Sequence, residues 1–397
     1  MSTTRTRLSL AGIVFTVLFA QVLLYPGVDV LVTAFGADTP LNASMWFLAA
    51  EFGAFVAFAG VWGAASDAAG RRVPFVTAAA LGGVVGYVAL ATLPAQFALP
   101  FEAILFLRAF QGATTIGAFS LAMTMLMDLE GGHGRNMGAA GIAIGAGTAL
   151  GAPVGGQLFG LGPFVPLYAA ALLLLFVALV ARTVPDRAPA QNRDSVTRAV
   201  SAGVRETPAL TLPYAFGFID RLTAGFFALV GTLYFRTVFE LSPAATGLLL
   251  ALFFAPFGLL QYPFGVLSDR IGRTVPIVAG SALYGLGVVA VGYAPAVELV
   301  AVAMVAVGVL GALMAPATMA LVTDLASPSG RGVAMAGFNA FGSLGFLVGI
   351  LLGGTVAGTF GYLTAFVVIG LLELGLALVT VPVFLRLDAD RKAVFTR

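Results

Sequence analysis

The chain has 397 residues, of which 60% are hydrophobic and only 10% are charged, and its formal net charge is +2. A soluble domain carries about 25% charged residues, and a single core cannot hold so large a surplus of apolar side chains. The composition therefore indicates a membrane protein. Because the sequence has no cysteine, disulfides and thiolate chemistry are excluded.

Long apolar segments follow one another along the chain, each about 20–30 residues long, which is enough for a transmembrane helix. They show no strict alternation of polar and apolar residues, so they do not predict barrel strands. Helices are the other structure that satisfies the backbone in lipid, and the sequence predicts an all-α membrane protein with twelve transmembrane helices. Numbered 1 to 12, the apolar segments are 8–35, 42–66, 73–94, 100–128, 136–160, 163–184, 209–238, 243–267, 275–294, 297–323, 332–357 and 361–386.

The positive charges lie on one side of the predicted membrane. If the N-terminus is cytoplasmic, the basic residues outside the cytoplasmic segments are Arg108, Arg221 and Arg236, and none of them is in an external loop. Positive charges in short loops stay on the cytoplasmic side. We therefore expect both termini in the cytoplasm, a location in the cell membrane, and no nucleic-acid partner.

The longest polar segment, residues 185–207, lies midway along the chain and contains several arginines. Its composition predicts a cytoplasmic linker. On either side of it we predict a six-helix bundle, formed by residues 1–184 and by residues 208–397.

A charged motif occurs in both halves, each time between two apolar segments. The first copy reads GAASDAAGRR from Gly63, and the second reads GVLSDRIGR from Gly265. An Asp–Leu pair with a following arginine also repeats, beginning at Asp128 and at Asp324. The matched register predicts two duplicated bundles related by a pseudo-two-fold axis along the membrane normal.

Segments 5 and 11 carry glycines at every fourth position, which lie on one helix face and allow another backbone to approach closely. We interpret these faces as smooth surfaces on which helices pack and slide, with ordinary tight packing as the alternative. The candidate packing residues are Gly147, Gly151, Pro153, Gly155, Gly345, Gly349 and Gly353.

The two loop motifs and the order of the segments resemble the major facilitator superfamily over nearly the whole chain. The sequence LRAFQG at 107–112 is similar to that family's second motif, and residues 147–156 resemble the motif of its drug:proton antiporters. The chain departs from these patterns at Ala68, where a basic residue is usual, and at Ala152, which separates the usual Gly-Pro pair. The resemblance implies a secondary transporter that works by alternating access.

The resemblance also implies a gating role for the charged loops. Asp67 and Asp269 would meet the starts of segments 11 and 5, near Arg331 and Arg135, when the inner side is closed. Contacts of this kind favour one of two states, whereas the alternative for the loop arginines is a role in topology only. The candidate gating residues are Gly63, Asp67, Gly70, Arg71, Arg72, Asp128, Arg135, Gly265, Asp269, Arg270, Gly272, Arg273, Asp324 and Arg331.

Three ionisable residues fall inside apolar segments 1, 2 and 4. Asp29, Glu51 and Arg108 lie roughly 10–15 Å below the outer surface at about 1.5 Å per residue. A charge at such depth costs at least about 2.5–3.5 kcal/mol and usually marks function. A cation favours the charged form of a neighbouring carboxylate, so separating the two changes proton affinity. We expect Asp29 or Glu51 to bind a coupling proton under the influence of Arg108; the alternative is a permanent structural ion pair.

Other polar residues accompany these charges and predict a substrate cavity. Gln21 and Tyr25 lie on the helix face of Asp29, and Gln111 and Thr115 lie on that of Arg108. Asp220 and Arg221 lie near the middle of segment 7, where adjacent side chains point about 100° apart. The candidate cavity residues are Gln21, Tyr25, Gln111, Thr115, Asp220 and Arg221, together with Phe227, whose ring could line an apolar pocket, although most phenylalanines of such a chain face lipid or fill helix contacts. Glu373 in segment 12 is expected to be peripheral, by the same family resemblance.

The sequence contains no P-loop, no nucleophile elbow and no cluster with metal-ligand spacing. We therefore predict no catalytic residue, no metal site, no cofactor and no enzymatic activity. The predicted function is proton-coupled efflux of small, largely apolar organic compounds by a monomer, with substrate, protons and lipid as its partners. The alternatives are uptake or facilitated diffusion of a sugar or organic acid, and a membrane sensor that binds a ligand without moving it.

Overall fold

The structure is a computed structural model that describes residues 3–130, 133–186, 203–327 and 330–395, and the regular elements in these ranges are all helical. Most of the predicted linker, residues 187–202, lies outside the described part. The helices are α1 Thr3–Val22, α2 Val28–Ala34, α3 Pro40–Ala68, α4 Val73–Gln96, α5 Phe101–Met127, α6 His133–Phe159, α7 Val165–Ala181, α8 Thr211–Phe226, α9 Thr232–Thr237, α10 Pro243–Ile271, α11 Thr274–Tyr293, α12 Val297–Leu325, α13 Arg331–Phe360 and α14 Tyr362–Phe395.

The predicted apolar segments correspond to these helices. In the described ranges, eleven helical spans are long and apolar enough to cross a membrane, and α7 is a shorter apolar helix of 17 residues. At 1.5 Å per residue α7 is about 26 Å long, close to the hydrocarbon thickness of about 30 Å. The prediction of an all-α membrane protein with twelve apolar helices is confirmed.

Segments 1 and 7 are both interrupted in their second halves. Between α1 and α2 the chain forms a 3-10 turn at Tyr25–Gly27, where Pro26 has no N–H to donate. Between α8 and α9 the five residues Phe227–Gly231 form a π-helical stretch. Each interruption separates a long helix from a short one that carries a charged side chain.

The helices group into two compact units. Unit 1 comprises Met1–Ser195 with Gly231–Gly258, and unit 2 comprises Val196–Val230 with Leu259–Arg397. The short helix α9 and the first part of α10 therefore pack with the N-terminal helices. The sequence boundaries of the two bundles, 1–184 and 208–397, stay a prediction.

Within unit 1, the glycine face of α6 packs directly on the backbone of α1. A Cβ atom added at Gly147 would lie 2.8 Å from the Phe15 carbonyl oxygen, and one at Gly151 would lie 3.0 Å from that of Phe19. At Gly155 it would collide with the carbonyl of Leu23. Pro153 is inside the same helix. These positions require glycine because two helix backbones meet there.

The same arrangement occurs in unit 2, where α13 packs on α8. A Cβ atom at Gly345 would collide with the Phe218 carbonyl, and one at Gly349 with the Leu222 carbonyl. At Gly353 it would meet the ring of Phe226 at 2.7 Å. Both glycine faces are therefore packing surfaces in this structure, while the predicted sliding on them stays a prediction.

Candidate functional site

The centre of the candidate site is an ion pair between α3 and α5. Arg108 Nη2 donates a hydrogen bond of 2.5 Å to Glu51 Oε2, and neither side chain has any exposed surface. The helices come this close because Gly112, one turn after Arg108, has no side chain. A Cβ atom there would lie 2.7 Å from the Glu51 carbonyl oxygen.

Polar residues continue from Arg108 along the same face of α5. Arg108 Nη1 donates to Gln111 Oε1 at 2.6 Å, and Gln111 Nε2 donates to Thr115 Oγ1 at 2.8 Å. All three side chains are buried. The spacing of three and four residues, which predicted a shared helix face, thus produces a continuous hydrogen-bonded chain.

Aromatic rings enclose the guanidinium group of Arg108. Its Cζ atom lies 4.6 Å from the centre of the Phe47 ring and 5.9 Å from that of Tyr87. A cation over an aromatic ring contributes roughly 0.5–2 kcal/mol, with the larger values at desolvated sites. The rings therefore replace part of the hydration that the buried arginine has lost.

The hydrogen bonding of this cluster is incomplete. Glu51 Oε1, Arg108 Nε, Gln21 Nε2 and the Tyr87 hydroxyl are buried atoms without a hydrogen-bond partner in the described part of the chain. Leaving such an atom unpaired costs about 1–3 kcal/mol. The cluster can therefore accept a further proton or polar group without losing an existing hydrogen bond.

Asp29 lies in a second ion pair, with Arg236 of α9, also inside unit 1. Arg236 Nη2 lies 2.9 Å from Asp29 Oδ2, and Arg236 Nε donates to both carboxylate oxygens at 3.1 and 3.0 Å. Each side chain is 16% exposed. From the sequence, either Asp29 or Glu51 could be the partner of Arg108. In the structure the partner is Glu51.

Arg236 was missed as a site residue. Its one signal in the sequence was its position, because it is one of three arginines outside the cytoplasmic segments. Gln21 and Tyr25, which precede Asp29 on the first span, are buried at 3% and 4% exposure and line the interior of unit 1.

The first charged loop forms a compact ionic cluster. Arg72, which is 1% exposed, donates to Asp128 at 2.6 Å and lies 3.5 Å from Asp67. Its backbone N–H donates to Asp186 Oδ1 at 2.9 Å, at the start of α4. Gly70 lies in the turn that precedes α4 and has a φ of +62°, a backbone conformation that favours glycine.

Unit 2 repeats this cluster at the second charged loop. Arg273 contacts Asp269 at 2.6 Å and Asp324 at 3.2 Å, and Gly272 has a φ of +89°. Burial lowers the pKa of Arg273, but its hydrogen bonds to the two carboxylates and their charges outweigh burial and raise the pKa above its ordinary value. An arginine between two aspartates is therefore common to both copies.

The remaining candidate gating residues lie around these two clusters. Asp67 and Asp269 contact the arginine of their own loop, and their predicted contacts with the starts of segments 11 and 5 stay a prediction. Four of the predicted arginines are exposed, and two glycines lie one or two turns before the loops. The exposed arginines are Arg71, Arg135, Arg270 and Arg331, and the glycines are Gly63 and Gly265.

The Asp–Arg pair of segment 7 points in two directions, as the helix geometry predicts. Arg221 lies against α13, where a Cβ atom on Gly342 would be 3.1 Å from Arg221 Cγ. Asp220 is partly buried. Phe227 is a correction: it is 2% exposed and packs edge-on against Phe226 and Phe366, so in this structure it fills a helix contact rather than a cavity.

The expectation that Glu373 is peripheral is wrong. It is fully buried in unit 2, where Ser281 donates to its Oε1 at 2.7 Å and Thr223 Oγ1 lies 3.1 Å from its Oε2. The signal in the sequence was its charge, since Glu373 is the one acidic residue in apolar segment 12.

With this geometry in view, comparison with known proteins identifies the family. The family model of the Major Facilitator Superfamily matches residues 10–234 and 213–396. The chain belongs to the Major Facilitator Superfamily. As a member of this superfamily it is a multi-pass membrane transporter and not an enzyme.

Among curated relatives, the transporter is 29% identical over 251 residues to the class G tetracycline resistance protein of Vibrio anguillarum. The match covers 60% of the chain and 61% of that protein. Among solved structures, a bacterial homologue of the human lysosomal transporter Spinster gives a TM-score of 0.75 at 13% identity, covering 95% of the chain and 94% of its own. A D-xylose–proton symporter gives 0.74 at 16% identity, covering 95% and 96%. These structural likenesses show the fold alone.

Proposed function

We propose that this transporter is a proton-coupled antiporter of the cell membrane, with both termini in the cytoplasm, which exports small, largely apolar organic compounds by alternating access. The observation that carries the proposal is the fully buried ion pair of Glu51 and Arg108. A purely structural link between α3 and α5 does not require two charges, because apolar residues of similar volume would stabilise the contact equally well or better.

The pair offers a way to couple proton binding to conformation. While Arg108 contacts Glu51, the carboxylate is stabilised in its charged form. Removing one partner of a buried pair costs about 3–5 kcal/mol, so a conformation that separates them favours a proton on Glu51. Gln111 and Thr115 then remain as polar neighbours of the guanidinium group.

Asp29 and Arg236 are the second candidate for coupling. Their pair is partly exposed, so proton exchange with water needs little rearrangement, and the free-energy change on breaking it is smaller than for Glu51 and Arg108. We assign the main coupling role to Glu51 and an accessory role to Asp29.

The direction of transport is supported by the tetracycline resistance relative. One proton that moves inward releases about 2.3 kcal/mol per 100 mV of membrane potential, which is sufficient to drive export of a neutral compound against a concentration gradient. The polar residues that we assign to substrate contact are Gln21 and Tyr25 in unit 1 and, separately, Asp220 and Arg221 in unit 2. The two Asp–Arg–Asp clusters at the charged loops are assigned to gating.

Transport by purified protein in lipid vesicles tests this proposal. With an imposed pH gradient we expect accelerated movement of tetracycline or a lipophilic dye opposite to the proton. Glu51→Gln should abolish the dependence on the pH gradient, whereas Glu51→Asp, which keeps a carboxyl group, should retain part of it. Glu102→Gln, an exposed position at the start of the same α5, is the matched control.

The outcomes separate the alternatives. Flux of the wild type that does not respond to the pH gradient contradicts proton coupling. Movement of the substrate in the same direction as the proton, or transport of D-xylose in place of tetracycline, favours uptake. Ligand binding without flux of any of these compounds favours a sensor.

A further inference from the structure

We propose that Glu373 is a second proton-binding site, located within unit 2, and that its carboxyl group carries a proton in the conformation described here. Proton binding at this position stands on the geometry of unit 2 alone; only its contribution to transport rests on the proposed function.

Glu373 is buried in unit 2 and closely covered. The side chain has no exposed surface, and the backbone of α11 covers it closely, since a Cβ atom on Gly285 would lie 3.1 Å from Glu373 Cβ. A carboxylate charge in hydrocarbon surroundings is costly unless a cation accompanies it.

The charge nearest in effect to Glu373 is negative. In the described part of unit 2, the charged side chain that acts on Glu373 is Asp220, which is another acid. Arg221 acts on Asp220, but its side chain lies against Gly342 of α13. Glu373 therefore has no counterpart of the arginine that contacts Glu51. A second negative charge nearby favours the neutral form.

The hydroxyl group of Thr223 cannot donate to all of its neighbours at once. Thr223 has one hydroxyl proton but two acceptors within reach, the Ile219 carbonyl at 3.2 Å and Glu373 Oε2 at 3.1 Å. When the threonine donates to the Ile219 carbonyl, its contact with Oε2 becomes a hydrogen bond only if the carboxyl group donates. A protonated Glu373 thus donates to Thr223 and accepts from Ser281, which satisfies both of its oxygens.

The buried hydroxyl of Tyr284 belongs to the same surroundings. It has no hydrogen-bond partner in the described ranges, and it interacts electrostatically with both Asp220 and Glu373. A phenol hydroxyl can both donate and accept a hydrogen bond, so it can interact with a neutral or a charged form of these acids. Asp220 is partly exposed, so of the two acids it is the one that water reaches.

Infrared spectroscopy of the purified protein in sodium-free buffer tests the proposal. We expect the wild type to show a carbonyl band of a protonated, buried carboxyl group that is absent from Glu373→Gln and retained in Glu102→Gln. The amide of Glu373→Gln can accept from Ser281 and donate to Thr223, so this variant keeps both hydrogen bonds. Ser281→Ala should shift the band without removing it, because it removes one donor but leaves the acid.

Identical spectra of the wild type and Glu373→Gln would overturn the proposal. So would loss of the band on adding sodium at constant pH, which would identify a sodium site. If the band is absent while the wild type still couples transport to the pH gradient, this inference fails and the proposed function stands. If the band is present but flux ignores the gradient, Glu373 binds a proton and the proposed function fails.

Discussion

Glu51 in unit 1 and Glu373 in unit 2 are both fully buried in transmembrane helices, yet their surroundings differ. Glu51 contacts Arg108 at 2.5 Å, whereas Glu373 contacts two hydroxyl groups and lies near a second acid. The position in unit 2 that corresponds to Arg108 is Met304, which is also fully buried. Two units with duplicated frameworks therefore stabilise a buried acid in two ways, one by a counter-charge and one by neutralisation.

The largest effect is expected from Arg108→Met, which gives unit 1 the residue of unit 2. Glu51 would lose its counter-charge inside the hydrocarbon, at a cost of about 3–5 kcal/mol. We expect a strongly lowered thermal midpoint and no coupled transport. Adding Glu51→Leu should restore most of the stability without restoring coupling. An unchanged midpoint for the single variant would contradict the importance of the counter-charge.

The two glycine faces allow a second comparison. Gly349→Ala places a Cβ atom against the Leu222 carbonyl, which separates α13 from α8 and should cost about 1–3 kcal/mol of stability, as overpacking does. Gly151→Ala, whose Cβ would lie 3.0 Å from the nearest atoms of α1, should cost less. Gly375→Ala meets nothing within 4 Å and serves as the control. Equal thermal midpoints for all three variants would show that the helices separate freely.

The two ionic clusters at the charged loops should differ in strength. Arg72 is 1% exposed and Arg273 is 16% exposed. A hydrogen bond to a charged group contributes about 1.5–3 kcal/mol when it is shielded from water, and a solvated pair contributes at most about 1 kcal/mol. Asp67 and Asp128 are 35% and 37% exposed, so the contacts of Arg72 lie between these limits. Arg72→Ala should still lower the thermal midpoint more than Arg273→Ala, and added salt should reduce the effect at Arg273 more strongly. The reverse order would mean that the second loop carries the tighter contact.

The smallest effect is expected from Glu373→Gln. If this acid is neutral, its amide replacement changes neither the charge nor the hydrogen bonds, and stability should change by less than about 0.5 kcal/mol. Glu51→Gln leaves Arg108 buried without a counter-charge and should cost about 3–5 kcal/mol. Thermal unfolding of the two variants side by side measures this difference directly, and equal losses would remove the distinction between the two sites.

The fold and much of the site follow from patterns along the chain. Apolar length predicted the twelve helices, and spacing predicted that Arg108, Gln111 and Thr115 share one face, because both depend on a single helix. The duplicated loop motif predicted a common local structure, and both copies indeed place an arginine between two aspartates.

The predictions that failed, or that were not made, concern contacts between different helices. Asp29 pairs with Arg236, which is distant in sequence, and no local spacing reports such a contact. Hydropathy does not distinguish a residue that faces lipid from one that faces a neighbouring helix, so the burial of Glu373 was not visible. Phe227 was assigned to a cavity on its chemistry, although aromatic side chains fill helix contacts equally well.

The interruptions of the first and seventh spans carry a mechanical consequence. The 3-10 turn at Tyr25–Gly27 precedes the short helix α2, and the π-helical stretch Phe227–Gly231 precedes the short helix α9. These two short helices are joined by the ion pair of Asp29 and Arg236. Irregular turns of this kind mark places where a helix can change direction. Because this ion pair joins α2 to α9, a change of direction at one interruption would be transmitted to the short helix that follows the other.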